Sequence, residues 1–211
     1  NEAMLKFPIY LDHNATTPCD PRVVEAMMPY FTRAFGNAAS RNHSFGWEAE
    51  AAVDNAREQV AKLIGADPKE IVFTSGATEA DNLALKGVFE MYAGKGNHII
   101  TCNIEHKAVL DTCKHIEKQG GEITCLKVKE NGLIDLAELE AAIKPNTILI
   151  SIMYANNEIG TIMPMEEIAA LAKKKGILVF SDATQAVGKI PIDINKIGID
   201  LMAFTAHKMY G

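Results

Sequence analysis

The stretch Met165–Gln185, MEEIAALAKKKGILVFSDATQ, changes character three times. Ile168, Ala169, Leu171 and Ala172 are apolar at helical spacing. Lys173–Lys175 and Gly176 then supply the basic last turn and terminal glycine that suit a helix end. Ile177–Phe180 is apolar throughout, as expected of a strand covered on both faces. Ser181, Asp182, Thr184 and Gln185 follow at once. A helix, a tight stop, a buried strand and an abrupt polar end form the repeating unit of a parallel α/β sheet.

The same rhythm extends in both directions. Five further runs read as strands: EIVFTS (70–75), HIITC (98–102), EITCLKV (122–128), TILISIM (147–153) and DLMAFT (200–205). Between them lie helical patterns at 78–94, 107–120 and 136–144, and two more precede the first strand at 22–31 and 47–65. Asp20-Pro21 is a cap followed by proline at the first helical position. Gly65 closes the second helix. Asp135 and Glu138 frame a capping-box-like helix start. Six strands alternating with helices predict an α/β domain with a mostly parallel sheet sandwiched by helices. FPIYLDHNATTP (7–18) fits this rhythm poorly. The expected division is therefore an N-terminal segment, 1–16, packing with a smaller domain, and a large domain, 17–211. Asn1–Ala3 read as tag residue ahead of a native Met4.

Composition narrows the function classes. The 211 residues are 48% hydrophobic and 23% charged with a net charge of −6. That balance suits a globular domain and disfavours direct binding of nucleic acid, which needs clustered positive charge. No apolar run approaches the roughly 18–20 residues of a membrane span. The four cysteines, Cys19, Cys102, Cys113 and Cys125, form no CxxC pair and suit reduced thiols in the cytoplasm. His98, Cys102 and His106 share a four-residue spacing, but His98–Cys102 reads as strand, so no metal site is expected.

In open parallel sheets ligands bind beyond the carboxyl ends of the strands. The residues at those ends are chemically capable: Ser75-Gly76-Ala77-Thr78, His106, Asn156-Asn157, Asp182 with Gln185, and Thr205 with His207 and Lys208. Taken singly, each has a plain reading as a turn, a helix cap or a solvated side chain. Taken together, an amine, a carboxylate ending an apolar strand and a glycine turn opening a helix suit pyridoxal phosphate. Its aldehyde needs an amine, its phosphate an anion site and its ring nitrogen a carboxylate.

Seven motifs in order carry a resemblance that runs from Ile9 to Gly211. They are YLDHNATTP (10–18), FGNAASRNHSFG (35–46), IVFTSGATEADNLALKG (71–87), EHKAVLDTC (105–113), ANNEIGTI (155–162), DATQAVGKIPID (182–193) and FTAHKMYG (204–211). The chain resembles the cysteine desulfurases, most closely the iron–sulfur-cluster-assembly branch, which have the fold type I architecture of pyridoxal-phosphate transferases. The resemblance implies pyridoxal 5'-phosphate held covalently by Lys208, its ring nitrogen paired with Asp182 and its phenolic oxygen bonded by Gln185. It also implies His106 on the ring with acid–base work, Asn157 lining the cofactor, and phosphate contacts from Ala77, Thr78, Thr205 and His207. Ala38 departs from a proline common in the family.

The implied reaction turns L-cysteine into L-alanine with sulfur passed to an enzyme cysteine. The implied partners are a second copy of the chain and an iron–sulfur scaffold or other sulfur-acceptor protein. The family's persulfide cysteine, substrate-binding arginine and partner-subunit phosphate threonine are expected downstream of Lys208. This stretch alone is therefore expected to be inactive. The alternatives are a selenocysteine lyase or related transaminase using the same cofactor residues, or a non-catalytic N-terminal fragment.

Overall fold

The computed structural model describes residues 7–211; the reading of Asn1–Ala3 and Met4 lies outside them. In chain order the helices and strands are α1 (Pro21–Thr32), α2 (Ser44–Ile64), α3 (Ala77–Met91), β1 (His98–Cys102), α4 (Lys107–Lys118), β2 (Glu122–Leu126), α5 (Leu136–Ala142), β3 (Thr147–Ser151), α6 (Met165–Lys175), β4 (Leu178–Asp182), α7 (Ile194–Ile197) and β5 (Leu201–Ala203). The strands form one sheet in the order β2-β1-β3-β4-β5, and every pairing is parallel.

Strand alternation sorts the core into two layers. Ile100, Ile150, Ile152 and Val179 face one side, where Leu139 of α5, Ile168 of α6 and Ile64 at the end of α2 cover them. Ile99, Leu149 and Phe180 face the other, under Leu85 and Val88 of α3 and Val109, Cys113 and Ile116 of α4. β1 and β3 are buried along their whole length, so their apolar runs satisfy both layers at once.

Several local expectations are met in detail. Asp20 caps α1 through the Arg22 N–H, Gly65 ends α2 at φ 77°, and Gly176 ends α6 at φ 67°. The α5 start differs. Asp135 accepts the Ala137 N–H, but Glu138 returns no bond, and a Lys129 ion pair holds Asp135 instead.

The strand expected at residues 70–75 does not form. Residues 71–74 lie outside the sheet, with Val72 and Phe73 66% and 51% exposed. The sheet edge nearest this segment is the three-residue β5. Between it and this segment lies a cavity of about 490 Å³ lined by Ile71, Val72 and Thr74 on one side and Leu201, Met202 and Phe204 on the other. With no strand beside it, an apolar run stays out of the sheet however strand-like its composition. α1 likewise buries none of its side chains, and Met27, Met28, Tyr30, Phe31, Phe45 and Trp47 are exposed across α1 and the start of α2.

Phe180 is fully enclosed at the centre of the α3–α4 layer. Phe180→Ala should lower the unfolding free energy of the full-length protein by about 3–5 kcal/mol, read from a denaturant titration.

Candidate active site

Strand order reverses direction between β1 and β3, which opens a crevice at the carboxyl edge of the sheet. A cavity of about 410 Å³ lies along that edge. All nine residues singled out from sequence line it: Ala77 and Thr78 from the start of α3, His106 after β1, Asn157 after β3, Asp182 and Gln185 at the end of β4, and Thr205, His207 and Lys208 after β5.

The start of α3 faces the cavity without a cap. Gly76 holds the N-cap position and supplies no side-chain hydrogen bond, so Thr78 is not the cap but a first-turn residue. The N–H groups of the first turn have no partner within the helix. A Cβ at Gly76 would enter open space, with nothing within 4 Å, so the cradle is open to the backbone. Glu79 turns its carboxylate onto the Ser75 N–H, which holds its pKa down. The arrangement attracts an anion through backbone donors and the helix dipole.

Asp182 is buried at the cavity floor. Its Oδ1 accepts the Thr184 N–H at 3.0 Å, and no hydrogen bond among the described residues reaches Oδ2. Lys208 lies half-buried in a single 3₁₀ turn, Ala206–Lys208. Among the described residues its amine has neither an ion pair nor a hydrogen bond. His106 both caps α4, its Nδ1 accepting the Ala108 N–H at 3.2 Å, and lines the cavity. That bond leaves Nε2 to carry the proton of the neutral ring.

The N-terminal segment is laid across this edge. The Thr17 N–H and hydroxyl donate to the His207 carbonyl at 2.8 and 2.9 Å, and Thr16 Oγ1 lies 3.1 Å from His207 Nδ1. Asn14 donates to the Asn157 carbonyl at 2.9 Å, and its own carbonyl accepts from Gln185 Nε2 at 2.7 Å.

Four residues in this region have roles that the sequence reading does not assign. Asn156, beside Asn157, donates to the Ile104 carbonyl and accepts the N–H groups of Glu158 and Ile159, so it builds the loop that presents Asn157. Lys189 donates to Gln185 Oε1, and both burial and the Lys208 ammonium pull its pKa down. Asp81 of α3 and Glu105, after β1, are buried carboxyls. All four fall inside motifs that carry the family resemblance, at positions to which the resemblance assigns no role.

The cysteines offer no activated thiol. Cys19 and Cys125 are exposed and Cys102 and Cys113 buried. Burial, with Glu105 nearby, pushes the Cys102 thiol far up, and burial raises Cys113 to about 12. His98 spends both ring nitrogens on Thr147 and Thr124, at 2.7 and 2.8 Å.

The model of the class-V aminotransferases matches residues 9–211. The chain belongs to the class-V aminotransferase family. It is 60% identical over 209 residues to the cysteine desulfurase IscS of Pectobacterium carotovorum, covering 98% of this chain and 52% of that protein. It is 58% identical over 207 residues to the cysteine desulfurase IscS of Rickettsia massiliae, covering 98% and 50%. Among solved structures it matches a "NIFS-like protein" at TM-score 0.93 and 44% identity, over 96% of this chain and 56% of the other. It matches "SspA in complex with cysteine" at 0.92 and 42%, over 96% and 58%. The chain spans about half the length of the curated relatives it matches.

Two predictions follow from these side chains. Asn156→Ala orphans backbone groups of Ile104, Glu158 and Ile159, and should cost about 1–3 kcal/mol in chemical denaturation, enough to loosen the Asn157 loop. Asp81 and Glu105 are both raised to about 8 by burial. A carboxyl whose folded pKa lies above its unfolded value gives its full stability at low pH and loses it as pH rises through the folded value. Stability should therefore decline from about pH 4 to about pH 8, by up to about 1.4 kcal/mol per pH unit for each group, visible in thermal midpoints; a rise across that window would contradict these positions.

Proposed function

We propose that the full-length protein containing this chain is a pyridoxal-phosphate-dependent cysteine desulfurase. The observation that carries the reading is a single cavity lined by an unpaired amine, a floor carboxylate with a free oxygen, and an uncapped helix N-terminus. Those three groups fit the three ends of pyridoxal phosphate. The likeness to the IscS desulfurases supports the choice of reaction.

In this reading Lys208 holds the cofactor aldehyde. The N–H groups of Ala77 and Thr78, with Thr205 and His207, bind the phosphate. Asp182 would keep a proton on the ring nitrogen, the Gln185 amide would serve the phenolic oxygen, and His106 and Asn157 would line the ring. When bound, the cofactor supplies an electron-accepting ring that stabilises negative charge at the substrate α-carbon. The Lys208 amine would move the substrate α-proton, and His106 Nε2 would serve the proton transfers around the sulfur. By the family resemblance, the persulfide would form on a cysteine contributed by the rest of the full-length protein. Sulfur then passes to a cluster scaffold or another acceptor protein.

A homodimer in the cytoplasm completes the reading. The exposed apolar side chains on α1 and α2 supply surface for a second copy and for the remaining half of the chain. Among the described residues no helix is long and apolar enough to cross a membrane.

The test is full-length protein incubated with L-cysteine. With a thiol reductant present to release the persulfide sulfur, alanine and sulfide in equal amounts support desulfuration, whereas a keto acid product would make it a transaminase. Lys208→Ala should remove the visible absorbance of the covalently held cofactor and lower turnover by about 10²–10⁴-fold. Absorbance and turnover that survive the substitution would sink the assignment.

A further inference from the structure

The floor of the cavity holds more acid than the proposed reaction uses. Asp81 lies one turn before Leu85 on α3, so it faces the same side of the sheet as Leu85 and Val88, toward the carboxyl edge. It is fully buried, and neither of its oxygens has a hydrogen-bond partner. Glu105 is 6% exposed. Its Oε1 accepts the Met153 N–H and the Cys102 thiol, and its Oε2 has no partner. Asp182 joins them from β4, close enough to repel both.

The surroundings give these carboxyls no counter-charge. None of the ion pairs among the described residues involves Asp81 or Glu105. The titratable groups that face them are Asp182 on β4, Cys102 on β1, Cys113 on α4 and Cys125 on β2, all neutral or negative. The uncharged neighbours are unpaired as well. Thr101 and Ser151, one residue beyond the Ile100–Ile150 pair on adjacent strands, and Thr184 leave their hydroxyls without partners. Three buried carboxyls with no cation cannot all ionise.

We propose that Asp81 and Glu105 are positioning residues that carry protons in the working protein, so that neither adds negative charge behind Asp182 at the cavity floor. The inference deepens the proposed function, since it concerns the group that would meet the ring nitrogen. Asp182 lines the cavity, whereas Asp81 and Glu105 lie behind it. The carboxyl that a cationic ring can reach is therefore Asp182. Loss of the two protons at high pH places further negative charge behind Asp182 and alters the field on anything bound there. The shift of both acids to about 8 locates that change.

The experiment has two arms on full-length protein. Infrared spectra of the cofactor-free form should show the carbonyl stretch of protonated carboxyls at neutral pH. That signal should disappear as pH passes about 8, and lose intensity in Asp81→Asn and in Glu105→Gln. In the second arm, the visible spectrum of protein loaded with pyridoxal phosphate should show an alkaline transition in the same range. Each substitution should move that transition by at least about one pH unit. The absence of the protonated-carboxyl signal from the unsubstituted protein overturns the proposal, and needs no variant to fold. So does an alkaline transition that stays put in both variants. Failure to bind the cofactor would instead count against the proposed function, because the infrared arm does not use it.

Discussion

Burial of β1, β3 and β4 between two helical layers is the constraint from which the rest of the structure follows. A strand covered on both faces has room for apolar side chains along its length and almost none for polar ones. Chemistry is therefore displaced to the strand ends. Because every strand is parallel, those ends lie on one edge. A carboxylate from β4, a histidine from the turn after β1, an asparagine from the turn after β3 and a lysine from the turn after β5 meet there, although 102 positions separate His106 from Lys208.

The charges along that edge are arranged by element type rather than by neighbouring sequence. Backbone donors at the start of α3 make one end receptive to an anion. The carboxyl floor makes the other end receptive to a cation. Lys208 and Lys189 bring two amines near each other between them, and burial, with repulsion from Lys208 added, lowers the pKa of Lys189. The N-terminal segment ties the parts together. Asn14, Thr16 and Thr17 bridge Asn157, Gln185 and His207, so a stretch with no helix or strand of its own fixes the relative positions of three different loops.

The strand mistaken at residues 71–74 and the site residues missed share a cause. Ile71–Thr74 has the composition of a buried strand, but a strand needs a neighbour, and the cavity beside β5 leaves it none among the described residues. Asn156 reads from sequence as one more polar residue at a strand end. Its importance lies in three backbone bonds to Ile104, Glu158 and Ile159, which no local pattern announces. Asp81 sits in an amphipathic helix where an acid ordinarily points to water. Only the packing of α3 on the sheet turns it inward.

Local sequence determined the alternation of helices and strands, the caps at Asp20, Gly65 and Gly176, and the polar residues that end each apolar run, because each depends on the backbone and solvation of a few adjacent residues. The nine candidate residues were legible for the same reason: they stand where apolar patterns stop. Tertiary structure alone decided which face of α3 is buried, that Asp81 and Glu105 share a dry region with Asp182, that Lys189 lies against Gln185, and that the 71–74 run goes unpaired. Those outcomes depend on distances between elements far apart in the chain, and burial and charge repulsion act through space, not along the sequence.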